Sequence, residues 1–324
     1  MGVGAVSIAP LEVVAILAGR LGLDVGPEFS SRQETVLTAI RLPRVLATAL
    51  VGAAWATAGV AMQGLYRTPL ADPALVGIGG GAALGAALGT GIAVSAGILA
   101  SYAGTVTVIA GAFLAALLAA FIVYRVAASS GRVVVATMLL AGIALTAFFG
   151  AVTALVVAAG RTPELGTVQF WTLGSFAGIV GRDDVVDALL VIPAIAVLWR
   201  LGPKLDALAL GETEAGHLGI DVPRLTVAVS VIFALLTAVA VATAGVIAFV
   251  ALMVPSLIRP FIGQSHRGVV IGSALLGGTL LVVADVVARS IFSPVELSIG
   301  VITTIVGAPF FLWLLLRDRG LLAR

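Results

Sequence analysis

The sequence predicts an all-α protein of the polytopic membrane class, and three observations predict it. Hydrophobic residues make up 60% of the chain and charged residues only 10%, with a mean hydropathy of +1.20; a soluble domain carries about 25% charged residues. Apolar runs of about 20 residues, the length that crosses a hydrocarbon core as a helix, recur along the 324 residues. The alternating segments of about ten residues that mark a membrane β-barrel are absent.

Breaks at charges and prolines delimit nine spans, near 45–64, 75–98, 104–127, 133–158, 185–201, 225–243, 245–263, 268–289 and 297–316. Residues 5–22 contain Pro10, Glu12 and Arg20 and read as a short surface helix. The stretch "RTPLADPALVGIGGGAALGAALG", 67–89, opens with a polar turn, in which Asp72 is expected to cap the helix that follows. It continues into glycines at Gly77, Gly81, Gly85 and Gly89, one stripe of an α-helix. In water each would weaken the helix by about 1 kcal/mol relative to alanine. In lipid, small residues every fourth position let backbones touch, so the ladder is assigned to helix packing.

Grouping alternate loops puts Arg67, Arg125, Arg132, Arg200, Lys204, Arg224, Arg259, Arg267, Arg317, Arg319 and Arg324 on one side. Arg20, Arg32, Arg41, Arg44, Arg161, Arg182 and Arg289 fall on the other. The richer set should be cytoplasmic. The chain reads as one transmembrane domain, 1–324, without low-complexity tracts or an appended soluble domain.

Much chemistry is excluded. There is no cysteine, hence no disulfide, thiol nucleophile or Cys-based metal site. No G-x-x-x-x-G-K-[ST] occurs, and the single lysine, Lys204, follows a proline. Basic residues are scattered over loops, which argues against nucleic acid. The opening residues lack the pattern of a signal peptide. The predicted interior is nearly free of charge, whereas an ion-coupled carrier keeps ionisable groups there. Asp285 and Arg289, four apart, can pair on one helix face. His217 and His266 lie in predicted cytoplasmic loops and read as solvated residues.

The longest polar stretch, "GPKLDALALGETEAGHLGIDVPR" at 202–224, predicts two short helices broken at Gly211 and at Gly219 to Pro223. Too polar for lipid and too short for a domain, it suits capture by a cytoplasmic partner; a solvated connector is the plainer alternative.

Over "RLPRVLATALVGAAWATAGVAMQGLYRTPLADPALVGIGGGAALG", 41–85, the sequence resembles the FecCD-type permease subunits of ATP-driven importers for iron chelates, haem and vitamin B12. The resemblance continues through "LDALALGETEAGHLGIDVPRL", 205–225, and "GVIAFVALMVPSLIRPFIGQSHR", 245–267. It ends with "ADVVARSIFSPVELSIGVITTIVGAPFFLWLLLR", 284–317. It implies a type II importer fold in the bacterial inner membrane, a homodimer, two separate ATPase subunits inside and a substrate-binding protein outside. ATP and magnesium would sit on the ATPases, with no cofactor or metal on this chain and no enzymatic activity of its own. The family has ten spans, and "GAVSIAP" resembles the stretch just after the first, so the first family helix is expected to be missing here.

The resemblance also implies residue roles. Segment 203–222 matches the coupling helices that sit in a cleft on each ATPase, with contacts expected from Leu205, Leu208, Gly211, Glu212, Ala215, Leu218 and Gly219. Arg41, Arg44 and Arg289 match positions that receive acidic residues of the binding protein; guanidinium forks grip carboxylates in two-point pairs. For Arg41 and Arg44, anchoring at the membrane interface is the plainer alternative. Val135, Ala136 and Thr137 match the inner gate of a pore on the dimer axis, lined by the family's fifth span.

"FWTLGS", 170–175, together with "LGIDVPRL" and "IGQSHR", resembles haem-type members more than the cobalamin one, so haem is the expected cargo, with ferric siderophores or corrinoids as alternatives. Met62, Met138 and Met253 could offer thioether contacts but read first as core filler. Ser256 stands where many relatives have histidine. A stand-alone secondary carrier and a non-transporting scaffold are the readings from other classes.

Overall fold

Because lipid offers no hydrogen bonds, a run such as 102–127 must satisfy its own backbone, and the α-helix does so within one segment. The computed structural model accordingly builds the chain from helices; it describes residues 8–20, 26–27, 29–129, 132–160, 163–177, 179, 181–291 and 296–317. Arg161, Arg319 and Arg324 of the charge pattern, and most of "GAVSIAP", lie outside the described residues.

The elements run in order α1 (Pro10–Arg20), α2 (Ser31–Thr35), a π-helical stretch (Val36–Arg41), α3 (Leu42–Tyr66), α4 (Ile78–Ser95) and α5 (Tyr102–Ala127). A two-residue hairpin, β1 (Ala128–Ser129) and β2 (Arg132–Val133), leads into α6 (Val135–Gly160). Then come a 3₁₀ turn (Pro163–Leu165), α7 (Val168–Leu173), α8 (Gly181–Ala209) and α9 (Glu212–His217). α10 (Val222–Ala244), α11 (Val250–Ile262), α12 (His266–Ser290) and α13 (Ile299–Arg317) complete the chain.

Eight helices among the described residues are long and apolar enough to cross a membrane, one fewer than the nine spans expected. The exception is 245–263. Residues 245–248 are non-helical, and α11 has only 13 residues, with Pro255 and Pro260 inside it. At 1.5 Å per residue it rises about 20 Å, short of a hydrocarbon core of about 30 Å. The unwound backbone is held by protein, as membrane depth requires: the Val246 N–H donates to the Trp171 carbonyl at 3.2 Å.

The first span is also longer than expected, running unbroken over Ser31–Tyr66. Its start is set by a capping box: the Gln33 N–H donates to Ser30 Oγ (3.2 Å) and the Ser30 N–H to Gln33 Oε1 (2.8 Å). The 11-residue α1 folds back on it, with Ile8, Ile16 and Leu37 forming a small cluster.

α3 is the hub of the bundle, with 72% of its apolar window buried, against 17% for α6. Its neighbours approach backbone to backbone. A Cβ built at Gly59 would overlap the Ala251 carbonyl of α11, and one at Gly52 the Gly277 carbonyl of α12. The glycine ladder seats α4 on α5 in the same way. Gly85 faces the Gly111 carbonyl, Gly89 the Thr107 carbonyl and Gly81 Ala119. Gly77 departs from the expected pattern: it is the left-handed cap (φ 82°) before α4 and packs near the Gly142 carbonyl of α6.

Candidate functional site

The polar residues gather at the two ends of the bundle, called inner and outer here after the orientation that the basic loops favour. At the inner end, segment 203–209 is not a separate short helix. α8 continues through Pro203 to Ala209, because Pro203 lies within a helix already under way and Gly211 (φ 129°) is the first true break. α9 follows as one and a half turns, and Gly219 (φ 79°) separates it from α10. Asp221 caps α10, accepting the Arg224 N–H at 3.0 Å.

This arm divides the expected partner contacts into two sets. Leu205, Leu208 and Ala215 are buried against the bundle and do not face a partner. The reason is helical spacing: Leu205 and Leu208, three apart, share the inward face of α8. Glu212, Leu218 and Gly219 face outward, Gly211 is half-buried, and exposed Leu210 joins them.

Three contacts tie the arm, and the turn of α8 that leads into it, to the bundle. Asp206 Oδ1 accepts the backbone N–H of His266 at 2.9 Å and lies 2.6 Å from His266 Nδ1. Glu212 pairs with Arg67 at 3.0 Å. The Arg267 guanidinium lies over the Trp199 ring, 4.7 Å from its centroid. His266 is therefore not a solvated loop residue: it opens α12 with 8% exposure, while His217 is exposed as expected. Beside these contacts a cavity of about 610 Å³ is lined by Gln63, Arg67, Asp206, Arg259, Gln264 and His266. Arg259 Nη1 donates to Gln63 Oε1 at 2.7 Å.

The turn between α3 and α4 adds a buried carboxyl. Asp72 is 0% exposed, and its Oδ1 accepts the N–H groups of Ala74 (2.7 Å) and Leu75 (3.2 Å). It caps the 72–77 turn rather than α4, which Gly77 introduces. Burial pushes the Asp72 carboxyl up to about 6, against the backbone N–H groups of Ala74, Leu75 and Leu252, which hold it down.

At the outer end, Arg41 and Arg44 are not loop residues, since the helix starts ten residues before Arg41. Arg44 is already occupied. Its Nη2 reaches Asp285 Oδ1 at 2.8 Å and Glu296 Oε2 at 2.9 Å, and its Nε lies 3.2 Å from each Asp285 oxygen. Asp285 also holds Arg289 (Nε to Oδ2, 3.4 Å), the i, i+4 pair that the spacing predicts. Arg41 is 6% exposed. Three arginines and two carboxylates thus share one patch with a formal excess of one positive charge. The sequence gives no sign of the role of Glu296, because the pair spans 252 positions.

Nearby, "FWTLGS" forms most of α7 and its C-cap instead of an open loop. Trp171 is 3% exposed and its Nε1 donates to the Leu165 carbonyl at 2.7 Å. The Ile299 N–H reaches the Gly174 carbonyl at 3.2 Å, so α7 is wedged between the ends of α10 and α13. Another buried carboxyl, Asp187, accepts from Thr243 Oγ1 at 2.7 Å. It sits inside the predicted span 185–201, although the sequence predicts an interior nearly free of charge. Val135, Ala136 and Thr137 form the first turn of α6, with Ala136 exposed and the other two half-buried. Met62, Met138 and Met253 are core residues, and Ser256 bonds back to the Leu252 carbonyl.

Known proteins share this architecture. The FecCD transport family matches residues 1–317. The cobalamin import permease BtuC of Halobacterium salinarum is 41% identical over 88% of this chain and 74% of its own. The hemin transport permease HmuU of Yersinia pestis is 38% identical over 86% and 83%. Among solved structures, a metal-chelate-type ABC transporter in an inward-facing conformation superposes with a TM-score of 0.74 at 28% identity, covering 95% of this chain and 97% of that one. With that match across the bundle and its connecting arm, the chain belongs to the FecCD transport family.

Proposed function

We propose that this inner-membrane, multi-pass permease works as a homodimer and imports a metal-bound tetrapyrrole, haem or a corrinoid, using force from two separate ATPase subunits. The observation that carries the reading is the arm at 203–219. It is rooted in the core through Leu205, Leu208 and Ala215 while Leu210, Glu212 and Leu218 stand exposed at its tip. A buried root with an exposed tip is the geometry of a lever, which an ATPase cleft can move. ATP and magnesium belong to those partners, since this chain has no phosphate-binding loop.

The finer roles follow from that placement. α6 has the least buried apolar window of the eight long helices, with Leu140, Ile143 and Leu155 all more than 60% exposed. It is the helix that a second copy would cover, leaving a pore between them with Val135, Ala136 and Thr137 at its inner mouth. Arg41, Arg44 and Arg289 supply the positive patch for carboxylates of a substrate-binding protein. The cargo class rests on two relatives named for cobalamin and hemin; haem remains the favoured member on the "FWTLGS" resemblance. Ferric siderophores are the second reading, supported by the metal-chelate transporter of similar fold.

Reconstitution in liposomes with the ATPase and binding protein tests this directly. Hydrolysis stimulated by the loaded binding protein, with uptake of haem or cobalamin, is the expected result. Uptake driven by an ion gradient without any ATPase would overturn it, and preference for a ferric siderophore would overturn the cargo class.

A further inference from the structure

The arm and the arginine patch lie at opposite ends of the bundle, yet the same two helices hold both. α3 carries Arg44 in its first turn and ends at Tyr66, one residue before Arg67. α12 begins with His266 and carries Asp285 and Arg289 near its other end. Each has 25 residues, a rise of about 37 Å.

Between their ends these helices are joined backbone on backbone. A Cβ at Gly277 would overlap the Gly52 carbonyl and lie 2.5 Å from Ala56 Cβ; one at Gly278 would lie 3.0 Å from the Ala49 carbonyl oxygen. Contacts this close leave no room for the two helices to slide independently. At the outer end Arg44 bonds Asp285 across the same interface. The pair is therefore fastened at the outer end and at its middle.

The inner end is fastened to the arm. Asp206 caps α12 through the His266 N–H and holds the ring through Nδ1. Gly64 of α3 leaves the space that the ring fills, since a Cβ there would sit 2.7 Å from His266 Nε2. Gly202 does the same for Arg267, whose backbone nitrogen would lie 3.0 Å from an added Cβ. The covalent links of α9, by contrast, run through Gly211 and Gly219, both at positive φ with nothing within 4 Å. What ties α9 to this pair instead is lateral: Glu212 pairs at 3.0 Å with Arg67, the residue that follows α3.

Building on the coupling role proposed above, we infer that Asp206 and His266 are positioning residues that fasten the 203–217 arm to a single α3–α12 strut. This strut, rather than the glycine-linked path into α10, carries displacement of the arm to the arginine patch on the opposite face. The ATPase and the binding protein thereby sense each other through one rigid body.

Two measurements test this. In the purified permease, Asp206→Ala should speed amide exchange in the first turn of α12 by about tenfold, and Asp206→Asn, which keeps an acceptor oxygen, should restore most of the protection. In the assembled transporter, Asp206→Ala should keep basal ATP hydrolysis and binding-protein affinity within about twofold. It should lower docking-stimulated hydrolysis and uptake by about tenfold, again with rescue by Asp206→Asn. Unchanged exchange overturns the fastening. Faster exchange with wild-type stimulation and uptake overturns the strut, as does a parallel loss of basal hydrolysis. Were the wild-type chain to engage no ATPase at all, the coupling reading would fail and, with it, the transmission; the exchange measurement would still decide the fastening by itself.

Discussion

Two glycines of one helix should respond in opposite directions to the same added methyl. In α4, a Cβ at Gly85 would overlap the Gly111 carbonyl oxygen and lie 2.6 Å from its carbon and 2.7 Å from Ala115 Cβ. Carbon atoms in contact prefer about 3.5–4.0 Å, so α4 and α5 must part by about 1 Å. Overpacking of this kind costs about 1–3 kcal/mol. The alanine returns up to about 1 kcal/mol of helix propensity, which leaves Gly85→Ala destabilised by up to about 2 kcal/mol. At Gly91, two turns on, the nearest atom to an added Cβ is Leu165 Cδ2 at 3.8 Å, an ordinary contact. Gly91→Ala therefore keeps the propensity gain alone. The two variants should differ by the overpacking cost alone, about 1–3 kcal/mol, or about 2–4 °C in midpoint for a chain of 324 residues. Thermal unfolding of detergent-purified protein, followed by size exclusion, reads this difference. Equal midpoints, or a more stable Gly85→Ala, would refute the backbone contact between α4 and α5.

Further tests address the carboxyls and the arginine patch. Asp72 is raised from its ordinary value to about 6, so the folded chain holds its proton where the unfolded chain has lost it. Its contribution therefore weakens as pH rises from about 4 to about 6, by about 3 kcal/mol at 1.4 kcal/mol per unit. The stability of Asp72→Asn relative to wild type should climb over that window, and a flat difference between pH 4 and pH 7 would show that Asp72 titrates normally. Glu296→Gln removes one of the two carboxylates on Arg44 and should speed association with an acidic binding protein several-fold at low salt, an effect lost in high salt. Stopped-flow rates that do not change would place Arg44 outside the docking surface. Leu210→Asp and Leu218→Asp, both at exposed positions, should leave unfolding temperature unchanged yet abolish retention on an immobilised ATPase partner.

What the sequence reveals follows from the range of the interaction concerned. Composition and apolar run length are properties of single segments, so the helical class and most spans can be read directly. The ladder at Gly81, Gly85 and Gly89 is legible for the same reason, since one helix supplies the whole stripe. Its partner is not: nothing local tells Gly85 that Gly111 is opposite. The coupling segment shows both sides. Its polarity marks it as exposed, but the inward turn of Leu205 and Leu208 depends on α8 continuing past Pro203, which only the surrounding bundle decides. His266 reads as solvated from the sequence because its partner, Asp206, lies 60 residues away. Arg44 illustrates the largest gap, since its two carboxylates are 241 and 252 positions distant. For His266 and Arg44 the missing fact is a long-range polar pairing at the ends of an apolar bundle. There a charge without a partner costs several kcal/mol, so each buried polar residue read from sequence should be taken as half of a pair. On that rule Asp187 predicts a donor on a neighbouring helix, and Thr243 of α10 supplies it.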